Sequence, residues 1–263
     1  MSTDVWDDGS AYDPYVGRWS RPVAASFLTW LAVPPRAAWL DFGCGTGALS
    51  QAILAHATPR IVSACDRSPG YVAYATQRTP DPRAQFVRAE LADLPRVDGG
   101  FDAVVSGLVL NFLPSPGDGL AALVARARRG ATVGAYVWDY AAGMRMMRVF
   151  WDAAVELDAA AQALDEGVRF PLCAPQPLRM LFESAGLGRV DVQPIDVPTV
   201  FRDFDDYWTP FLGGQGPAPG YARGLPPARL DLLRDAIRRR LPVASDGTIP
   251  LQARAWAVRG LVS

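Results

Sequence analysis

One short segment constrains the fold more than any other part of this chain: Leu40, Asp41, Phe42, Gly43, Cys44, Gly45, Thr46, Gly47. An apolar run at 37–42 precedes its glycines, and a helical stretch from about 46 to 57 follows them. A strand that enters alternating glycines and leaves as a helix is the opening unit of an open parallel sheet. The glycines allow a tight turn against which a ligand can lie on bare backbone. The new helix presents unpaired N–H donors at the same place.

The rhythm continues downstream. Residues 60–66 and 84–88 read as strands two and three, 101–106 as strand four and 131–138 as strand five. Ser68-Pro69 and Ser115-Pro116 each supply a cap followed by proline at the first helical position, the second helix running to Arg129. Strands that alternate with helices predict an α/β fold, a parallel sheet covered on both faces. Residues 1–32 form an N-terminal helical cap, with Val23, Phe27, Trp30 and Leu31 at helical spacing after Ser20. A helical segment at 141–186 carries an apolar stripe that includes Met144, Met147, Phe150 and Trp151. Two further strands are expected at 189–200 and 249–258. Between them, 203–242 forms an insertion whose aromatic and Gly/Pro-rich first part, 203–227, is expected to act as a lid over a substrate. The whole, 1–263, reads as a single domain.

Composition removes much familiar chemistry. All 26 basic residues are arginine, so no lysine can form a Schiff base or hold a phosphate in a GxxxxGK[ST] loop. The single histidine, His56, excludes multi-histidine metal sites, and no metal is expected. Three cysteines, Cys44, Cys65 and Cys173, lack metal-like spacing and read as reduced thiols. The formal net charge of −1 argues against a nucleic-acid partner. No apolar run is long and clean enough for a membrane span, and the N-terminus lacks a signal pattern, which predicts a cytoplasmic protein.

The glycines alone fit two ligands. Gly43-x-Gly45-x-x-Ala48 also satisfies a dinucleotide fingerprint, and Asp66, nineteen residues after Gly47, suits a ribose in either case. Asp41 tips the balance. A carboxylate at the end of strand one does nothing for a pyrophosphate, but it attracts a ligand that carries an ammonium and a sulfonium. Glu90, after strand three, adds a second acid at the same sheet edge.

With these residues in place the chain resembles the class I S-adenosylmethionine-dependent methyltransferases, in particular the ubiquinone/menaquinone-methyltransferase-like small-molecule branch. The resemblance covers about 12–190 and rests on Tyr12, Tyr15, Gly17, Arg18 and Trp19, on 40–47, on Asp66, and on 90–95 with 101–108 in register. It implies a Rossmann-like seven-stranded sheet, six strands parallel and the last antiparallel. It also implies S-adenosyl-L-methionine as cofactor. Gly43, Gly45 and Gly47 would pack against the methionine and ribose, Asp41 would serve the cationic part, and Asp66 with Arg67 would serve the ribose. Glu90 and Leu91 would meet the adenine, Gly107 and Leu108 would flank the methionine, and Tyr15 and Arg18 would close the site from the N-terminal cap. Phe42 is bulkier than the family's usual small aliphatic residue, and Glu90 stands where aspartate is usual. The acceptor would be a small, largely apolar or aromatic metabolite, methylated on oxygen, nitrogen or carbon. Asp139 and Tyr140 are the candidate catalytic pair, and Trp138, Trp208 and Phe211 the candidate substrate contacts. The competing readings are an NAD(P)-binding oxidoreductase and a non-catalytic ligand-binding protein of the same fold. Monomer and homodimer fit the sequence equally.

Overall fold

The computed structural model describes residues 17–213 and 216–263. Seven strands form one sheet in the order β3-β2-β1-β4-β5-β7-β6. They are β1 (Ala38–Phe42), β2 (Ile61–Asp66), β3 (Ala84–Arg88), β4 (Phe101–Gly107), β5 (Ala127–Trp138), β6 (Gly188–Phe201) and β7 (Ile249–Leu261). Strands β1 to β5 pair in parallel, and β7 runs antiparallel to both β5 and β6, so six strands share one direction and the last opposes them. This is the expected Rossmann-like sheet. Every residue of β1 is buried, as it must be in a central strand covered on both faces. β6 lies at an edge, where Pro194 and Pro198 cost no inner-ladder hydrogen bond.

Helix α1 (Arg18–Leu31) begins two residues before Ser20 and lays Val23, Phe27 and Leu31 on the sheet. It sits close to β5 because Gly134 offers no side chain: a Cβ there would stand 2.9 Å from Leu31 Cδ2. Helices α2 (Ala48–His56), α3 (Pro69–Arg78) and α4 (Pro116–Val124) follow β1, β2 and β4. α4 stops five residues short of the expected Arg129, and β5 begins earlier than expected. The Arg126 carbonyl accepts the Phe101 N–H at 2.9 Å, and Arg128 donates to Asp102 at 2.6 Å, so this arginine-rich stretch joins the sheet instead of extending the helix.

The stretch after β5 folds as α5 (Arg145–Leu157), α6 (Glu166–Arg169) and α7 (Pro175–Ser184). The insertion between β6 and β7 contains α8 (Phe204–Trp208), α9 (Pro217–Gly224) and α10 (Pro227–Arg240). It packs on α5 as a fixed layer. Phe211 stacks on Phe150 with ring centroids 4.6 Å apart, and the Tyr207 hydroxyl donates to the Met146 carbonyl at 2.8 Å. Among the described residues, no helix is long and apolar enough to cross a membrane.

Candidate functional site

A cavity of about 580 Å³ opens at the carboxyl ends of the parallel strands, where α/β sheets hold their ligands. Sheet order divides its lining. The ends of β1 to β3 bring Asp41, Gly43, Gly45, Asp66 and Glu90; the ends of β4 and β5 bring Leu108, Val109, Phe112, Tyr136 and Tyr140. One end is therefore acidic and the other mostly apolar.

At the acidic end the backbone shapes the floor. Gly43 takes φ +71°, and a Cβ there would strike Val109 Cγ2 at 2.5 Å. Gly45 takes φ +51° with nothing within 4 Å of the missing Cβ, so its exposed backbone faces open space. Gly47 is different. It precedes α2 at φ +86° and abuts Ala75 of α3, outside the cavity lining, where it shapes the turn.

Asp41 is 1% exposed. Its Oδ2 accepts the Ser50 hydroxyl of α2 at 2.6 Å, while Oδ1 is buried with no hydrogen-bond partner among the described residues. Burial pushes its carboxyl up to about 7; the Ser50 hydroxyl pulls against this, and the nearby Asp66 carboxylate adds to the rise. Asp66 is tied down more firmly than a free cleft carboxylate: it accepts the Gly45 N–H at 3.0 Å and the Ser68 N–H at 2.9 Å. Each oxygen keeps a second lone pair for a ligand hydroxyl. Arg67, Glu90 and Leu91 line the same end, with Arg67 and Glu90 exposed.

Fit to the implied cofactor can be judged from these groups. The acidic end offers three carboxylates against one guanidinium, a buried carboxyl oxygen without a partner, and a backbone cradle bare of side chains. That donor and charge set fits a cationic nucleoside sulfonium and opposes a pyrophosphate.

At the apolar end, Gly107 and Leu108 line the cavity as expected. Gly107 makes room for a residue the sequence reading missed: a Cβ on it would lie 2.5 Å from the Tyr136 hydroxyl oxygen. Tyr136, Trp138 and Tyr140 line the cavity at a spacing of two, one face of β5 continued past its end. The alternation around Trp138 was the signal that could have found Tyr136. The same alternation excludes Asp139, which turns away, accepts the Ala142 N–H at 3.1 Å and closes the turn into α5. Asp139 therefore acts as a turn cap and does not reach the reacting end. Ser20, Tyr71 and Phe112 also line the cavity, and sequence periodicity alone gave no sign of them.

Three other expectations fail on geometry. Arg18 pairs with Asp206 at 3.0 Å, with its guanidinium 4.5 Å from the Trp19 ring centroid and 4.6 Å from that of Phe201; it fastens α1 to α8 and does not clamp a ligand. Trp208 and Phe211 lie in the packed layer beside α5, outside the cavity lining, and none of the described residues of 203–227 covers the cavity. Phe170, just past α6, packs behind the apolar end, with its ring centroid 5.1 Å from that of Phe112 and 5.6 Å from that of Tyr140. Tyr15 lies outside the described residues.

Comparisons with known proteins agree with this geometry. Residues 40–131 match the family model of a methyltransferase domain, a span that holds the glycine turn, Asp66, Glu90 and Leu108. An uncharacterized protein of Synechococcus is 35% identical over 130 residues, 47% of this chain and 31% of that protein, so the chain spans about a third of the length of this curated relative. The YcgJ protein from Bacillus subtilis superposes with a TM-score of 0.60 at 13% identity over 91% of this chain and 97% of its own. Phosphoethanolamine N-methyltransferase 2 of Haemonchus contortus, in complex with S-adenosyl-L-methionine, gives 0.59 at 12% identity over 97% of this chain and 56% of its own. Residues 40–131 of this chain are thus similar to a methyltransferase domain, carried on the Rossmann-like methyltransferase fold.

Proposed function

We propose that this chain transfers a methyl group from S-adenosylmethionine to a small, largely apolar or aromatic acceptor. The observation that carries the reading is Asp41, a buried carboxyl with one oxygen unpartnered at the floor of a cavity whose acidic groups outnumber its cation. A cationic ligand relieves that site; a dinucleotide with two phosphates worsens it, which counts against the oxidoreductase alternative.

The cofactor would supply an activated methyl group on sulfur. Asp66 would accept the ribose hydroxyls on its remaining lone pairs, Glu90 and the Leu91 N–H would meet the adenine, and the bare backbone at Gly43 and Gly45 would carry the amino-acid part. Leu108 and Gly107 would border the methyl. Tyr136, Phe112 and Tyr140, with Phe170 behind them, would exclude water and hold the acceptor close to its in-line approach. With Asp139 turned away, Tyr140 is the candidate proton-handling group that remains at this end. The ubiquinone/menaquinone-like branch remains the finer reading of the family.

The apolar end narrows the acceptor. Among the described residues, Arg67 at the far end is the only cation lining the cavity, and residues 1–16 contain neither arginine nor lysine. An anionic acceptor such as the phosphoethanolamine named for the Haemonchus enzyme would find no counter-charge. The acceptor is therefore read as uncharged. Thermal shift with S-adenosylhomocysteine, NADH and NADPH tests the assignment: the first should stabilise by about 2.7 kcal/mol at a hundredfold excess over its Kd. Stabilisation by a nicotinamide cofactor alone would reverse it. An acceptor screen read by mass spectrometry then separates an enzyme from a protein that only binds.

A further inference from the structure

We propose that Ser50 is a positioning residue that holds Asp41 ready to lose its proton when the cofactor enters, so that cofactor uptake releases a proton to solvent. The inference rests on the cofactor reading of this cavity and adds to it a property of this chain's own residues.

The geometry isolates Asp41. It is 1% exposed and lines the cavity, and Ser50, itself fully buried, donates to one of its oxygens at 2.6 Å while the other has no partner among the described residues. Among the described residues, the groups facing it offer no positive charge. From the glycine turn comes the Cys44 thiol, from β2 the Cys65 thiol and the Asp66 carboxylate, and from α2 the Ser50 hydroxyl and N–H. On the β4 side its strand neighbour is Val105, and the Ser106 hydroxyl is committed to the Phe42 carbonyl at 3.0 Å. Burial raises both thiols, Cys65 to about 12 and Cys44 well above its ordinary range, so neither adds charge near neutrality. Asp41 itself stands at about 7 in the empty protein, which leaves its carboxyl largely protonated below neutral pH. The ammonium of the cofactor's amino-acid part, which S-adenosylhomocysteine shares, favours the carboxylate when it lies above Asp41. The O–H bond then breaks, its electron pair stays on the carboxylate, and the proton passes to buffer. The Ser50 hydrogen bond favours that same ionised form, so without it Asp41 would hold its proton to higher pH.

The test is calorimetric titration with S-adenosylhomocysteine from pH 6 to 8.5, in buffers of different ionisation enthalpy. For the wild type we expect release of about 0.9 proton at pH 6, falling to about zero at pH 8.5, with affinity rising nearly tenfold per pH unit below about pH 7 and then levelling. Asp41→Asn should lose that release, leaving only what the ligand's own amine contributes. Ser50→Ala should bind several-fold more weakly at pH 7 and regain wild-type affinity at pH 8.5. Heat independent of buffer in the wild type would overturn the proton release, and a Ser50→Ala loss equal at every pH would make Ser50 merely structural. Neither reading requires Asp41→Asn to fold. Absence of S-adenosylhomocysteine binding at all pH values would instead remove the cofactor assignment itself, a different result.

Discussion

The two halves of the molecule build their surfaces by different means. From β1 to β4 the ligand-facing geometry is made by backbone: positive φ at Gly43 and Gly45, strand ends in register, and a carboxylate that ties Gly45 to Ser68. From β5 onward the fold rests on packed side chains, and the cavity's apolar end is walled by Tyr136, Trp138 and Tyr140. Phe150 stacks on Phe211, Arg148 pairs with Asp165 at 2.7 Å, and the Trp151 indole N–H donates to the buried Glu166 carboxyl. Backbone geometry binds what every member of a fold shares; side-chain packing can vary, and so it sets what is particular. The acidic end of the cavity belongs to the first kind and the apolar end to the second.

The largest effect that could break this division is in the packed half. Phe150 is fully buried between Trp151, Phe211 and Tyr221. Phe150→Ala should cost about 3–5 kcal/mol of stability in urea unfolding, with S-adenosylhomocysteine affinity of the folded fraction unchanged. A matching loss of affinity would mean that the layer shapes the cofactor end after all. Next comes Asp66→Ala, expected to weaken S-adenosylhomocysteine by about 1.5–3 kcal/mol in calorimetry. Because Asp66 also accepts the Gly45 and Ser68 N–H groups, the variant should lose about 1–2 kcal/mol of stability as well. A purely ligand-facing carboxylate would show only the first effect.

A pH test sharpens the comparison further. Burial pushes the Glu166 carboxyl up to about 8 from its ordinary 4.5, so the fold favours its protonated form. That contribution is complete below about pH 4.5 and is lost as pH rises toward 8. Glu166→Gln, which cannot ionise, should flatten the fall in stability between pH 6.5 and 8 by about 1–2 kcal/mol. Identical slopes in the two proteins would show that Glu166 does not titrate in this range. The smallest effect is expected at Arg18→Ala: about 1 kcal/mol or less of stability, from a partly buried ion pair and its ring contacts, with cofactor affinity unchanged. A tenfold loss of affinity would return Arg18 to the site.

The same division explains what could be read from sequence. Glycines before a helix, acids at strand ends and strand alternation are local signals, and they located β1 to β4, Asp41, Asp66 and Glu90. Arg18 and Phe211 meet partners far away in the chain, Asp206 being 188 residues from Arg18 and Phe150 lying on α5, and no local pattern reveals them. Asp139 failed for a nearer reason: its neighbours Trp138 and Tyr140 face the cavity, and the period of two sends the residue between them away. Phe170 was hidden because its contacts, Phe112 and Tyr140, come from two separate turns.

The central claim is that the acidic end of this cavity holds S-adenosylmethionine by its cation, ribose and adenine. The most direct measurement is a crystal structure of the protein with S-adenosylhomocysteine. The account predicts the ribose hydroxyls on Asp66, the adenine beside Glu90 and Leu91, and the amino-acid part along Gly43 above Asp41. Ligand density elsewhere, or a ribose away from Asp66 with the glycine turn unoccupied, would contradict it.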